Sequence, residues 1–235
     1  MPAAGRSRCA GVLKHMHGCF DFPKAILTKI EHQFICFLWS GSENVKCLFS
    51  AAWVNVCVPK SEGRLGLKRL KDFNESIMMR TLWNLVSGTV NPWTQWVKAN
   101  YLKDKSFWTV KPPDDCSWAW RSILKKRVTA LKYCKIIVGD GKSTFIWQDP
   151  WLIGDNLNLT TSRHSIMVSG LPYISKVYKM ISANSDWIIP YKSTRAEDLK
   201  EIWRIIQAGP KPDIQDRDRM VWTLTTNGTF SSKSA

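Results

Sequence analysis

The chain has 235 residues, with 34 Lys plus Arg against 19 Asp plus Glu, a formal net charge of +15. Its 44% hydrophobic and 23% charged content is that of a globular protein. The longest unbroken apolar run, the six residues Phe34 to Trp39, excludes a spanning helix, which needs about 20. The positive balance points to a polyanion, and the 13 Trp to an aromatic core or to platforms on which bases stack.

Residues 1–20 read as a ragged N-terminal segment. A helix is expected over 23–39, because Ile26, Ile30, Phe34 and Leu38 recur every four residues, Asp21 can cap it and Pro23 sits in its first turn. Leu48 to Val58 is extended or irregular, and residues 61–67 form a glycine-broken loop. A second helix is predicted over 73–87, capped by Asp72 with Glu75 completing a capping box; its core face would be Phe73, Ile77, Thr81 and Leu85. A third begins after Pro92 with Trp93, Trp96, Val97 and Tyr101 inward. A fourth begins after Ser117, with Trp120, Leu124, Val128 and Leu131 on one side and Arg121, Lys125, Lys126 and Arg127 on the other.

The period then shortens. Residues 135–138 and 144–147 are β-type runs around Gly139-Asp140-Gly141-Lys142, which predicts a hairpin. Residues 154–165 read as a polar linker. Helices are expected near 173–181 and over 195–207, the latter with a Thr194/Glu197 capping box. Residues 220–224 form a strand, 226–229 a turn, and Phe230 opens another strand. The fold class is α+β, mainly α: a helical bundle-like N-terminal part, a small β-hairpin and further short helices and strands. The predicted segmentation is a basic helical region over 21–135, a hairpin over 136–153, a linker with helices over 154–217, and a last segment over 218–235.

Seven cysteines, an odd number, occur without a Cys-x-x-Cys pair, and residues 1–20 hold no apolar stretch of the secretory kind. Reduced thiols in an intracellular compartment are expected. Catalytic constellations are missing. Gly139 to Thr144 has the last residues of a phosphate-binding loop, but Ile136 stands where the first glycine belongs. Asp114-Asp115 follows two prolines, which suits a loop before a helix better than a metal-binding strand. Asp213, Asp216 and Asp218 read as a solvated turn. His15, His17 and Cys19, with His32 and Cys36, do not have the spacing of a zinc module. No metal, cofactor, small-molecule substrate, membrane or enzymatic activity is expected.

Charge supplies the positive expectation. Residues 41–135 hold 17 basic and 7 acidic residues, +10. The candidate contacts to phosphate are Lys60, Arg64, Lys68, Arg69, Lys98, Lys103, Lys105, Arg121, Lys125, Lys126 and Arg127, spread along a surface as sequence-independent binding requires. Trp93, Trp96, Trp108 and Trp118 lie among them.

Several motifs occur together and in order: Phe22-Pro23-Lys24-Ala25-Ile26 with Phe37-Leu38-Trp39-Ser40-Gly41; Trp53 to Lys60 followed by Glu62-Gly63-Arg64-Leu65-Gly66-Leu67; Ser117-Trp118-Ala119-Trp120; Val138-Gly139-Asp140-Gly141 with Phe145 to Trp151; and Trp222 to Ala235. This series resembles plant non-LTR (LINE-type) retrotransposon reverse transcriptases, in the region after the polymerase core and up to the start of the reverse-transcriptase zinc-binding domain. The resemblance implies a thumb-end and connecting region that helps to hold RNA or RNA/DNA template-primer. It also implies a nuclear location and, because nothing here matches the family's Tyr-x-Asp-Asp strand, no catalysis. The alternative is a transposon-derived structural or interaction remnant with no activity of its own.

Overall fold

The computed structural model describes residues 22–40, 57, 69–152, 157–190 and 196–232. The protein is mainly helical α+β with a small two-stranded antiparallel sheet, as the residue pattern predicts. The chain divides into two compact units, residues 1–81 and 82–234.

In the first unit, α1 spans Lys24–Ser40. Leu27 and Cys36 are its buried residues, whereas Ile26 is 44% exposed and Ile30 and Phe34 are half-buried. Leu27 and Cys36 stand nine positions apart, about 2.5 turns, so they lie on opposite sides of the helix. The four-residue repeat therefore does not mark its one buried face. Leu38 belongs to that repeat, but its side chain lies outside the described residues. The next helix, α2, spans Leu70–Val86. It starts three residues before the predicted position, which puts Asp72 in its first turn and not at the cap. The Leu70 N–H instead donates to Glu31 Oε1 of α1 (3.2 Å), and the Phe22 N–H to Asn74 Oδ1 (3.4 Å). With the cap supplied by another helix, the buried face widens to Leu70, Asn74, Met78 and Leu82 beside the predicted Thr81 and Leu85, while Phe73 and Ile77 are only half-buried. Cys57 lies nearby, its thiol pushed up to about 11 chiefly by burial.

The second unit continues with α3 (Pro92–Val97), a π-helical turn (Lys98–Leu102), α4 (Trp118–Lys125) and α5 (Arg127–Leu131). Then come β1 (Cys134–Ile137), α6 (Leu157–Thr160), α7 (Arg163–Val168), a 3₁₀ turn (Val177–Met180), α8 (Glu197–Ala208) and β2 (Arg219–Trp222).

The expected hairpin does not form. β1 pairs antiparallel with β2, Cys134 opposite Trp222 and Ile137 opposite Arg219. Residues 144–150 are all buried, so they cannot be a strand with one wet face. They turn instead, with Phe145 bridging to Lys176.

Two further expectations are corrected. The polar stretch 154–165 holds α6 and α7, whose Leu157 and Ile166 enter the core. The N-terminus of α7 is capped by the Ser162 hydroxyl, which accepts from the Ser165 N–H at 3.0 Å. The expected helix over 173–181 shrinks to a single 3₁₀ turn. The Val177 and Tyr178 N–H groups there donate to Thr144 and Gly141 carbonyls, and the Ser175 carbonyl accepts from Ile146 N–H, so residues 141–146 take up the backbone groups a helix would use.

The core of this part combines Ile146, Trp147, Val177 and Met180, all 0% exposed, with Leu199, Ile202, Trp203 and Ile206 of α8. The α8 face is the predicted one. Its N-cap is Ala196; Thr194 lies outside the described residues. The strand expected over 220–224 ends at Trp222, the turn expected over 226–229 starts early, at 223, and no strand begins at Phe230; its ring packs on Trp83 and Trp222.

Candidate nucleic-acid interface

The segment from α3 to α5 presents most of the candidate basic residues that are described. Asn91 caps α3 through a reciprocal pair: its Oδ1 accepts from the Thr94 N–H (2.8 Å) and the Thr94 hydroxyl accepts from the Asn91 N–H (3.1 Å). The π-helical turn closes on a left-handed pair, Lys103 (φ 44°) and Asp104 (φ 63°), rare for non-glycine residues. The result is a tight corner on which Lys98, Lys103 and Lys105 are all exposed. Beneath it runs an aromatic series. Trp96 meets Tyr101 edge-on at 5.2 Å, Tyr101 stacks on Trp120 at 4.9 Å, and Trp120 meets Phe107 at 6.1 Å. Trp120 is 2% exposed but Trp96 is 52% exposed, so Trp96 does not face the core as its spacing predicts.

Ser117 caps α4 by accepting from the Trp120 N–H, and Asp114 and Asp115 lie exposed in the loop before it. The predicted single helix is interrupted at Lys126, where the backbone shifts to a tighter turn before α5. Val128 in consequence is 73% exposed, and Ile123 joins Trp120 and Leu124 in the interior. Arg127 accounts for the interruption. Its guanidinium turns inward and donates to the carbonyls of Leu124 (3.1 Å), Phe107 (3.0 Å) and Val110 (2.8 Å). It also lies over the Phe107 ring, and burial lowers its pKa.

Arg121 is likewise engaged. It donates to the Asp114 carbonyl and to Cys116 Sγ, and the bond to Cys116 is the main reason its pKa is raised. Arg121, a candidate contact to phosphate, thus already has partners of its own in the loop before α4. Lys125 is exposed, and Lys126 is half-buried at the junction of the two helices. Arg69 is exposed just before α2. Lys60, Arg64 and Lys68 lie outside the described residues.

The Gly139–Thr144 loop holds an arrangement that residue reading misses. Asp218, expected in a solvated turn, accepts six hydrogen bonds there. Oδ1 accepts from the N–H of Gly139 (2.8 Å) and Gly141 (2.9 Å). Oδ2 accepts from N–H and hydroxyl of both Ser143 and Thr144, at 2.8–3.1 Å. Burial raises its pKa, but the hydrogen bonds from Ser143, Gly139, Thr144 and Gly141 outweigh it and the net shift is downward. A nest of amides is an anion site; here the anion is the chain's own carboxylate. This also explains the missing hairpin, because the amides that would pair across it point at Asp218. The available signal was a loop with more donors than its own acid, Asp140, takes up: that carboxylate accepts from the Lys142 N–H and pairs with the Lys142 ammonium.

Asp149, close by, is 7% exposed. It accepts from the Ser106 hydroxyl (2.5 Å) and the Phe145 N–H (2.7 Å). Burial dominates there and pushes its carboxyl up to about 6. Between these groups lies an open pocket of about 270 Å³, lined by Lys98, Lys105, Trp108, Asp149, Asp218 and Arg219 among others.

Among the described residues no three His, Cys, Asp or Glu side chains are grouped as metal ligands. His15, His17 and Cys19 lie outside them; the His32 Nδ1 and Cys36 Sγ atoms are 3.5 Å apart. Cys36, Cys57, Cys116 and Cys134 are thiols outside any disulfide. No described helix is long and apolar enough to cross a membrane.

Two proteins of Arabidopsis thaliana are similar to this chain. One, named "Putative ribonuclease H protein", is 27% identical over 234 residues, which cover 94% of this chain and 36% of that protein. The other, named "Uncharacterized mitochondrial protein", is 25% identical over 138 residues, 58% of this chain and 90% of that protein. The chain thus spans about a third of the length of the first. No protein-family model matches, and no solved structure is similar.

Proposed function

We propose that this chain is a non-catalytic segment of a plant non-LTR retrotransposon reverse-transcriptase polyprotein, one that holds RNA or an RNA/DNA template-primer without reading its sequence. The observation that carries the reading is the excess of ten positive charges over residues 41–135, which reaches the surface as exposed lysines at Lys98, Lys103, Lys105 and Lys125. Ammonium groups on flexible stems suit contact with a phosphate backbone whose register varies. A relative named for ribonuclease H, nearly three times as long as the match, supports a longer polyprotein. In this reading the polyprotein acts in the nucleus, and the segment needs no metal, cofactor or membrane.

Filter binding of the purified chain to duplex and single-stranded RNA and DNA at two salt concentrations tests it. The expected result is affinity that falls steeply with salt, log Kobs declining by roughly 0.7–0.9 per phosphate contacted, and equally for unrelated sequences. Primer extension with magnesium or manganese is expected to give no product; extension abolished by Asp114→Ala would overturn the non-catalytic part. The second reading, a transposon-derived structural remnant, draws on Arg121 and Arg127, whose guanidinium groups bond to the chain's own carbonyls. It predicts no binding, or binding without a steep salt slope.

A further inference from the structure

We infer that the pocket between the π-helical corner and the Asp218-filled loop receives one nucleotide of the bound strand, base inward and phosphate at the mouth. This rests on the reading above and deepens it from a charged surface to a site. Three cations line the pocket, Lys98, Lys105 and Arg219. All three are exposed, and none forms an ion pair with a described residue. Among the described residues they have no anion to serve.

The two carboxylates on the wall leave an excess of one positive charge, and neither is free to pair with a cation. Asp218 is saturated by its six donors. Asp149 is turned into its bonds with Ser106 and Phe145. Because Asp218 already fills the amide nest, a phosphate cannot bind there and is left to the cations at the mouth. The rest of the wall is largely apolar, with Trp108, Phe107, Phe145 and Ile136, beside Ser106 and Ser143. An aromatic base with polar edges matches such a wall, and an inorganic anion does not. At about 270 Å³ the pocket falls just below the roughly 300–1,000 Å³ of drug-sized sites, which suits a single nucleotide.

The test uses the full chain with three probes: AMP, inorganic phosphate and a 12-nucleotide single-stranded RNA. Saturation-transfer NMR is expected to show contact to the base protons of AMP, with phosphate binding at least tenfold weaker. AMP should also compete with the RNA for one site. Lys98→Gln with Lys105→Gln should weaken AMP at least tenfold, and Lys98→Arg with Lys105→Arg should restore it. Ser87→Trp, in the pocket lining, fills the space without changing charge. It should abolish AMP contact while leaving the salt slope of RNA binding intact, and the Gln variants serve in its place if it does not fold. RNA binding with a steep slope but no base contact from AMP, or wild-type AMP affinity in the filled or Gln variants, overturns the pocket and leaves the proposed function standing. No binding of any probe overturns both. AMP bound without competing with RNA shows a free-nucleotide site and overturns the strand assignment.

Discussion

The helical segment 92–131 and the turn-rich segment 139–149 treat charge in opposite ways. In the first, charged groups stay at the surface or spend themselves on carbonyls: Lys98, Lys103 and Lys105 are exposed, and Arg127 reaches three main-chain oxygens. In the second, carboxylates are drawn in. Asp149 is nearly buried and Asp218 is half-buried among amides and hydroxyls. The difference follows from which backbone groups each conformation frees. Short, interrupted helices leave unpaired carbonyls, which attract guanidinium donors. Consecutive turns leave unpaired N–H groups, which attract carboxylates.

The largest effect expected is at the aromatic centres of the two segments. Trp147→Ala and Trp120→Ala, at 0% and 2% exposure, should each cost about 3–5 kcal/mol in denaturant unfolding. Phe separates them. The Trp147 Nε1–H donates to the Leu171 carbonyl, so Trp147→Phe leaves an acceptor unpaired and adds about 1 kcal/mol. Trp120 Nε1 has no described partner, so Trp120→Phe should cost less. Equal costs would erase that contrast.

Next comes Asp218→Ala, expected to cost about 3 kcal/mol because it strands several donors. A loss below 1 kcal/mol would mean that water replaces the carboxylate freely.

The third test is pH. The Asp149 carboxyl titrates near 6 in the fold, above its ordinary value of 3.8. Between those values the unfolded chain has lost the proton and the folded chain keeps it. The Asp149 contribution therefore falls as pH rises from about 4 to about 6 and is flat above, by on the order of 2–3 kcal/mol. Asp218, held below its ordinary range, has the opposite sign: its contribution is present above the ordinary carboxylate pKa and is lost as pH falls through the folded value. Stability measured at pH 4.5 and 7 should show Asp149→Asn removing the first slope. Unchanged slopes would place Asp149 in contact with water.

The smallest effects are electrostatic. Lys125→Gln should lower the salt slope of nucleic-acid binding by about 1, and Arg121→Gln, already bonded to Asp114 and Cys116, by nearly none. A loss of slope at Arg121 equal to that at Lys125 would show that its local bonds yield to phosphate.

Helices with one strong apolar stripe were legible from residues alone. Leu199, Ile202, Trp203 and Ile206 predict α8 and its buried face, and the Pro92 and Ser117 starts hold because caps act within a single turn. The face of α2 was legible only in its second half, at Thr81 and Leu85, because its first turn is capped by Glu31 of another helix. Of the candidate basic residues, the exposed lysines keep the availability that charge counting gives them. Arg121 and Arg127 do not, since their partners are main-chain carbonyls that carry no sequence label.

The sequence by itself determined the mainly helical class, the positive charge of the middle third, and an aromatic content large enough to build a core. Those properties depend on composition and on spacing within one or two turns. Tertiary structure alone decided that Cys134–Ile137 pairs with Arg219–Trp222, that Asp218 fills the Gly139–Thr144 nest, and that a pocket opens beside Lys98 and Lys105. Each of these joins residues dozens of positions apart, and local periodicity cannot register which distant acceptor will meet which donor once water is excluded from both.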